Sequence, residues 1–109
     1  MKPKDVRDLV FFADDEARHE TLLESDKIWS QVLCLQKNQS LGPMGDPGAD
    51  ALCLVLAGQV AVQVGKNRAR MGQWQALTVP AGQDLILKNA SEEPSVVLLV
   101  TAPPPGPAP

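Results

Sequence analysis

Tyrosine is absent from this chain, histidine occurs once, and Phe and Trp together make up 4 % of its 109 residues. So few rings exclude a base-stacking platform of the kind that binds single-stranded nucleic acid. Basic residues are outnumbered by acidic ones, 10 against 13, for a formal charge of −3. That balance argues against nucleic acid or an anionic membrane as a partner, since both select a basic surface. Long apolar runs are missing too. Leu9-Val10-Phe11-Phe12 follows Lys2, Lys4 and Arg7 but is far too short for a secretory signal or a membrane span. The expectation is a cytoplasmic protein. The two cysteines, Cys34 and Cys53, lie in separate apolar runs and form no CxxC pair. They read as free thiols of a reducing compartment.

What is present suits one small domain. Hydrophobic residues account for 44 %, enough for a core without staples. Residues 1–27 are polar and mixed in pattern. Leu9–Phe12 and Glu20–Leu23 are possible strand pieces, while Asp14–Glu20 suits a helical turn or an exposed connection. From residue 28 the pattern changes. Ile28–Gln36 is apolar on both faces, with Ile28, Val32 and Cys34 on one and Trp29, Leu33 and Leu35 on the other. A strand of that kind forms a barrel wall that also packs against something outside. Leu41–Asp50, with Gly42, Pro43, Gly45, Pro47 and Gly48, has loop chemistry. Further strands are expected at Ala51–Ala57, Val60–Val64, Arg68–Met71, Leu77–Val79, Leu85–Lys88 and Val96–Thr101. Short strands separated by Gly, Pro and Asn turns indicate an all-β barrel or sandwich. The barrel is expected over residues 28–101. Residues 102–109, rich in proline, form a tail that neither pairs in a sheet nor buries a core.

Within that barrel, Gly42, the run Leu54-Val55-Leu56-Ala57-Gly58-Gln59-Val60, and Pro80-Ala81-Gly82 with Leu85 and Asn89 resemble the two motifs of a cupin domain. With its flanking strands the resemblance covers roughly residues 28–101. It implies an all-β, cupin-like double-stranded β-helix, or jelly roll. Cupins hold a divalent metal with three histidines and a glutamate, a donor set suited to first-row metals. Here the paired histidine positions fall on Met44 and Asp46, the glutamate on Ala51 (Asp50 if the register shifts by one), and the last histidine on Leu85. Only Asp46 is a competent ligand, so no metal or other cofactor is expected. His19, among Asp15, Glu16 and Glu20, reads as part of a solvated charged face.

Acid–base or nucleophilic chemistry without metal would draw on Asp46, Asp50, Asp84, Cys34 or Cys53, with Asp46 and Cys53 the foremost candidates for an isomerase or lyase. Turn formation accounts for the loop aspartates and core packing for Cys53, so a non-catalytic domain is the preferred reading. Met44, Ala51, Cys53, Val55, Leu85 and Leu87 are expected to face inward, with Asp46 beside them. Such a lining suits either a small apolar ligand or a filled core, and the filled core is favoured. The function expected is binding of a small apolar ligand in the barrel, through Met44, Asp46, Ala51, Cys53, Leu85 and Leu87, or association with other proteins. A homodimer is expected through the two-faced strand at residues 28–36, with cover from the N-terminal segment as the competing explanation. Trp29 and Trp74 are expected as wall or interface anchors.

Overall fold

The structure, a computed structural model, describes residues 1–104. It is built of nine strands: β1 (Arg18–Glu24), β2 (Trp29–Leu35), β3 (Ser40–Met44), β4 (Asp50–Ala57), β5 (Gln59–Val64), β6 (Asn67–Gly72), β7 (Ala76–Val79), β8 (Leu85–Lys88) and β9 (Ser95–Ala102). They form two antiparallel sheets, β1-β2-β9-β4-β7 and β3-β8-β5-β6. The pair packs face to face as a jelly roll without closing into a complete barrel. Among the described residues no helix is long and apolar enough to cross a membrane.

The strands expected from alternation are present within a residue or two. Two regions differ. Residues 40–44 pair with β8 as an edge strand despite Gly42 and Pro43, with an irregularity between Leu41 and Met44. An edge position tolerates proline because the missing N–H leaves no central ladder bond unmade. The sheet also begins at Arg18 rather than at residue 28. Residues 18–24 form a strand, which contains the strand piece considered at Glu20–Leu23; there is no helical turn within 14–20, and Leu9–Phe12 is not a strand. Arg18 accordingly pairs with Glu20 at 2.6 Å, two residues on along one strand face. The segment before it opens with a short 3-10 turn, Val6–Leu9, capped by the Asp5 carboxylate, which accepts from the Arg7 backbone N–H at 2.9 Å. The Arg7 guanidinium beside it lowers the Asp5 carboxyl to about 2.

Period-two alternation divides the apolar residues into two cores. Between the sheets lie Leu33, Leu35, Cys53, Val55, Val97 and Leu99 from one side, facing Val60, Val62, Met71, Leu85 and Leu87 from the other. Leu33, Leu35, Leu85 and Leu87 are fully buried, and each contributes roughly 1.5–3 kcal/mol relative to an exposed side chain. The second core lies outside the large sheet, where Leu22, Val32, Cys34 and Val96 are covered by Val6, Leu9, Val10 and Phe12. The cover for the two-faced strand therefore comes from the N-terminal segment of the same chain. Val32 and Cys34 of that strand are buried by it, whereas Ile28 at the start stays exposed. The proline-rich tail expectation falls largely on residues 105–109, outside the described residues, and β9 itself extends through Ala102.

Two glycines of the motif regions are required by close approach. Gly42 has φ +110°, and a Cβ there would collide with the Leu85 carbonyl oxygen of β8. Gly58, with φ +75°, turns β4 into β5 against the Pro94 carbonyl, at a distance that leaves no room for a side chain. Asn89 ends β8 from a fully buried position. Its Nδ2 donates to the Leu35 carbonyl at 2.9 Å and the Glu93 carbonyl at 2.8 Å. Its Oδ1 accepts from the Ser91 N–H at 3.0 Å and the Ser91 hydroxyl at 2.8 Å. This one side chain ties the 89–94 turn to β2 across the fold.

Candidate functional site

At one end of the jelly roll the sheets part around a cavity of about 480 Å³, open to solvent on one side. The core is therefore not filled at this end, contrary to the expectation from sequence. Two loops shape the mouth. Residues 45–49 turn around Asp46, whose Oδ1 accepts from the Gly48 N–H at 2.7 Å. Residues 80–83 form a turn closed by Gln83 N–H donating to the Pro80 carbonyl at 3.1 Å, with Gly82 at φ +83° in the position that needs it. The loops are tied together: the Gly82 N–H donates to the Asp46 carbonyl at 3.0 Å, and the Ala81 N–H to Asp50 Oδ1 at 2.8 Å.

The residues at the expected metal positions reach this cavity from both sheets. Met44 of β3 lies directly opposite Leu85 of β8. Ala51 of β4 lines the cavity from the other sheet, and Asp46 lines it from the loop. Asp50, the alternative glutamate position, is exposed and engaged with Ala81, and it does not line the cavity. Cys53 and Leu87 do not line it either. Both are fully buried in the packed core below, because each stands two residues further along its strand from the mouth than Ala51 or Leu85. Asp84 is exposed and outside the lining.

The donor set does not fit a cupin metal. A thioether, a methyl, an isobutyl group and one carboxylate already bonded to its own loop cannot replace three imidazoles and a glutamate. Among the described residues no three His, Cys, Asp or Glu side chains cluster as a metal site. Cys53 is no better placed as a nucleophile. Burial pushes its thiol up to about 11 and also raises Cys34, so neither supplies thiolate near neutral pH.

Residues outside the expected ligand set complete the wall. His19 lines the cavity from β1. It belongs to a strand, so Glu20 points to the opposite face, and His19 stays exposed to solvent while it lines the cavity. Trp29 forms another part of the wall, with its indole N–H donating to Thr21 Oγ1 at 3.1 Å, whereas Trp74 is outside the cavity and 70 % exposed. Gln31 and Thr101 also line the cavity, and both are more than nine-tenths buried. Gln31 stands opposite Leu99, and Thr101 stands between Trp29 and Ala51. The signal for Gln31 was present in the sequence: it is the one polar residue on the strand face otherwise made of Trp29, Leu33 and Leu35.

Comparison with known proteins agrees with this geometry. A sequence search of curated proteins finds no match. Among solved structures, the TT1209 protein of Thermus thermophilus is similar at a TM-score of 0.90 and 28 % identity, over 96 % of this chain and 100 % of that one. An RmlC-like cupin protein of Desulfovibrio desulfuricans is similar at 0.84 and 20 % identity, over 95 % and 98 %. A cupin superfamily protein of Desulfitobacterium hafniense DCB-2 reaches 0.78 at 18 % identity, over 93 % and 90 %. The profile of the cupin domain itself matches residues 31–101, the span that holds both motif regions and all but the first wall of the cavity, and the chain belongs to the cupin domain family.

Proposed function

We propose that this cupin works without a metal and binds a small, largely apolar organic molecule in the open end of its jelly roll, without catalysing a reaction on it. The observation that carries this reading is the cavity of about 480 Å³ at the position of the expected ligand set, walled mainly by Leu41, Met44, Ala51, Val79, Leu85 and Leu99, with Asp46 as the one carboxylate. Ligand sites are characteristically concave and apolar with a few convergent polar groups, and this volume lies within their usual range. Catalysis has less support. Asp46 accepts a hydrogen bond from its own loop, Cys53 is sealed in the core, and the single imidazole of the chain stands exposed at the rim. Association with other proteins rests on the exposed Phe11, Leu23, Ile28, Leu52 and Trp74, and exposed apolar side chains are ordinary on a protein surface.

Filling the cavity tests the reading. Ala51→Phe directs a ring into the open space. A fragment library followed through methyl resonances should shift Met44, Leu85 and Leu99 in the parent and leave them unmoved in the folded variant. Fragments that bind both forms alike, or that shift only residues outside the cavity, refute the assignment.

A further inference from the structure

Five polar residues are buried in the described structure: Ser30, Gln31, Asn89, Ser95 and Thr101. Three of them spend their hydrogen-bonding groups inside the protein. The Ser30 hydroxyl donates to the Leu23 carbonyl at 3.1 Å and accepts from the Leu23 N–H at 3.0 Å. Asn89 makes the four bonds given above, and the Ser95 hydroxyl donates to the Leu35 carbonyl at 3.4 Å. The other two, Gln31 and Thr101, make no side-chain hydrogen bond to any described residue, and these two line the cavity. Every fully enclosed side-chain nitrogen or oxygen among the described residues has a partner. The amide of Gln31 and the hydroxyl of Thr101 therefore keep their free bonding capacity toward the cavity. Such groups lose their water when a ligand fills the cavity, and a site built around them discriminates strongly for whatever then satisfies them.

We infer that Gln31 and Thr101 are the head-group site of this cavity, and that its ligand is an uncharged molecule with a hydroxyl or carboxamide head and an apolar body. This inference rests on the cavity being a ligand site. The two residues lie on adjacent strands, since Gln31 pairs with Leu99 and Thr101 lies two residues beyond it on the same inward face. An amide and a hydroxyl each donate and accept, so together they match a head group that does both. Among the described residues no lysine or arginine lines the cavity, His19 stands exposed at the rim, and the Asp46 carboxylate serves its own turn. An ionised head beside Gln31 would be buried without a counter-charge, which is strongly unfavourable. The body of the ligand lies against Val79, Leu85 and Leu99.

Three probes of nearly equal size separate the alternatives: benzamide, benzoate and toluene, titrated into the full chain and read by NMR. Benzamide should shift the Gln31 side-chain amide signal together with the Leu85 and Leu99 methyls. Its binding should be about tenfold tighter than that of toluene or benzoate, the size expected for satisfying one buried polar group. In Gln31→Leu that preference should vanish, with toluene binding at least as tightly as benzamide, while the melting temperature stays level or rises. Thr101→Val reads the same preference with a change of one atom and serves if Gln31→Leu does not fold. Toluene or benzoate binding the parent as tightly as benzamide, or a preference that survives both substitutions, overturns the head-group assignment and leaves the cavity reading intact. If none of the three moves the cavity methyls, both fail.

Discussion

Replacing Asn89 with alanine should be among the most damaging single changes outside the hydrophobic core. Its side chain is fully buried and makes four hydrogen bonds between 2.8 and 3.0 Å. Each such bond contributes about 0.5–1.5 kcal/mol net. The groups left behind fare unequally. The Ser91 and Glu93 partners lie near the surface and can turn to water. The Leu35 carbonyl is buried and would keep only the 3.4 Å contact from the Ser95 hydroxyl among side chains. Three near-surface bonds replaced by water, one buried acceptor weakened and a small void together suggest about 2–4 kcal/mol, against a total of roughly 5–15 for an ordinary domain. Urea unfolding followed by the fluorescence of Trp29 and Trp74 would measure this as a lower midpoint with an unchanged slope. Asn89→Asp is the companion test, since it keeps the acceptor for Ser91 but turns two donors into a carboxylate facing two carbonyls. It should be at least as destabilised as the alanine variant near neutral pH. A loss below about 1 kcal/mol in both variants would refute the view that this side chain ties β2 to the turn between β8 and β9.

Two further predictions concern the lost ligand set and the buried thiol. Met44→His, Asp46→His, Ala51→Glu and Leu85→His, made together, should create a metal-responsive protein, because all four positions line one cavity and the first and last are strand partners. Loss of Leu85 should destabilise the metal-free form by roughly 2–5 kcal/mol, and nickel or zinc should restore stability while leaving the parent unaffected; a melting temperature indifferent to metal would refute the slot assignment. Cys53, held up at about 11 by burial, binds its proton more tightly folded than unfolded, so its contribution is fully present below the unfolded value and is lost as pH rises from about 9 toward 11. The loss should reach at most about 3 kcal/mol, and Cys53→Ala should flatten that part of the stability–pH curve; an unchanged slope in the variant would show that other groups cause it.

Much of this protein follows from local pattern. Period-two alternation marked β5, and short runs between Gly, Pro and Asn turns marked β4, β6, β8 and β9. Gly58, Gly82 and Asn89 marked turns, since glycine and asparagine suit the backbone that turns require, whatever else each of them meets in the fold. The chemistry of the lost metal positions could also be read from side-chain identity alone: leucine, alanine and methionine do not become imidazoles by folding.

What a face meets, however, depends on pairing between distant strands, and that was decided only in three dimensions. Local pattern gave no means of telling that Val6, Leu9, Val10 and Phe12 would cover Val32 and Cys34. Nor could it show that Ala51 and Leu85 would border open space while Cys53 and Leu87, two residues deeper, would be sealed. The β3 edge strand was hidden because Gly42 and Pro43 suit both a loop and an edge, and its partner β8 lies some forty residues on in sequence. His19, a surface residue, also borders the cavity because β1 is a strand, since that choice sets its direction. Gln31 was visible as a polar residue in an apolar strand, but only the β2–β9 register set it near Thr101 at the cavity. Side-chain chemistry is carried by the sequence, whereas its convergence in a pocket is a property of strand register and sheet packing.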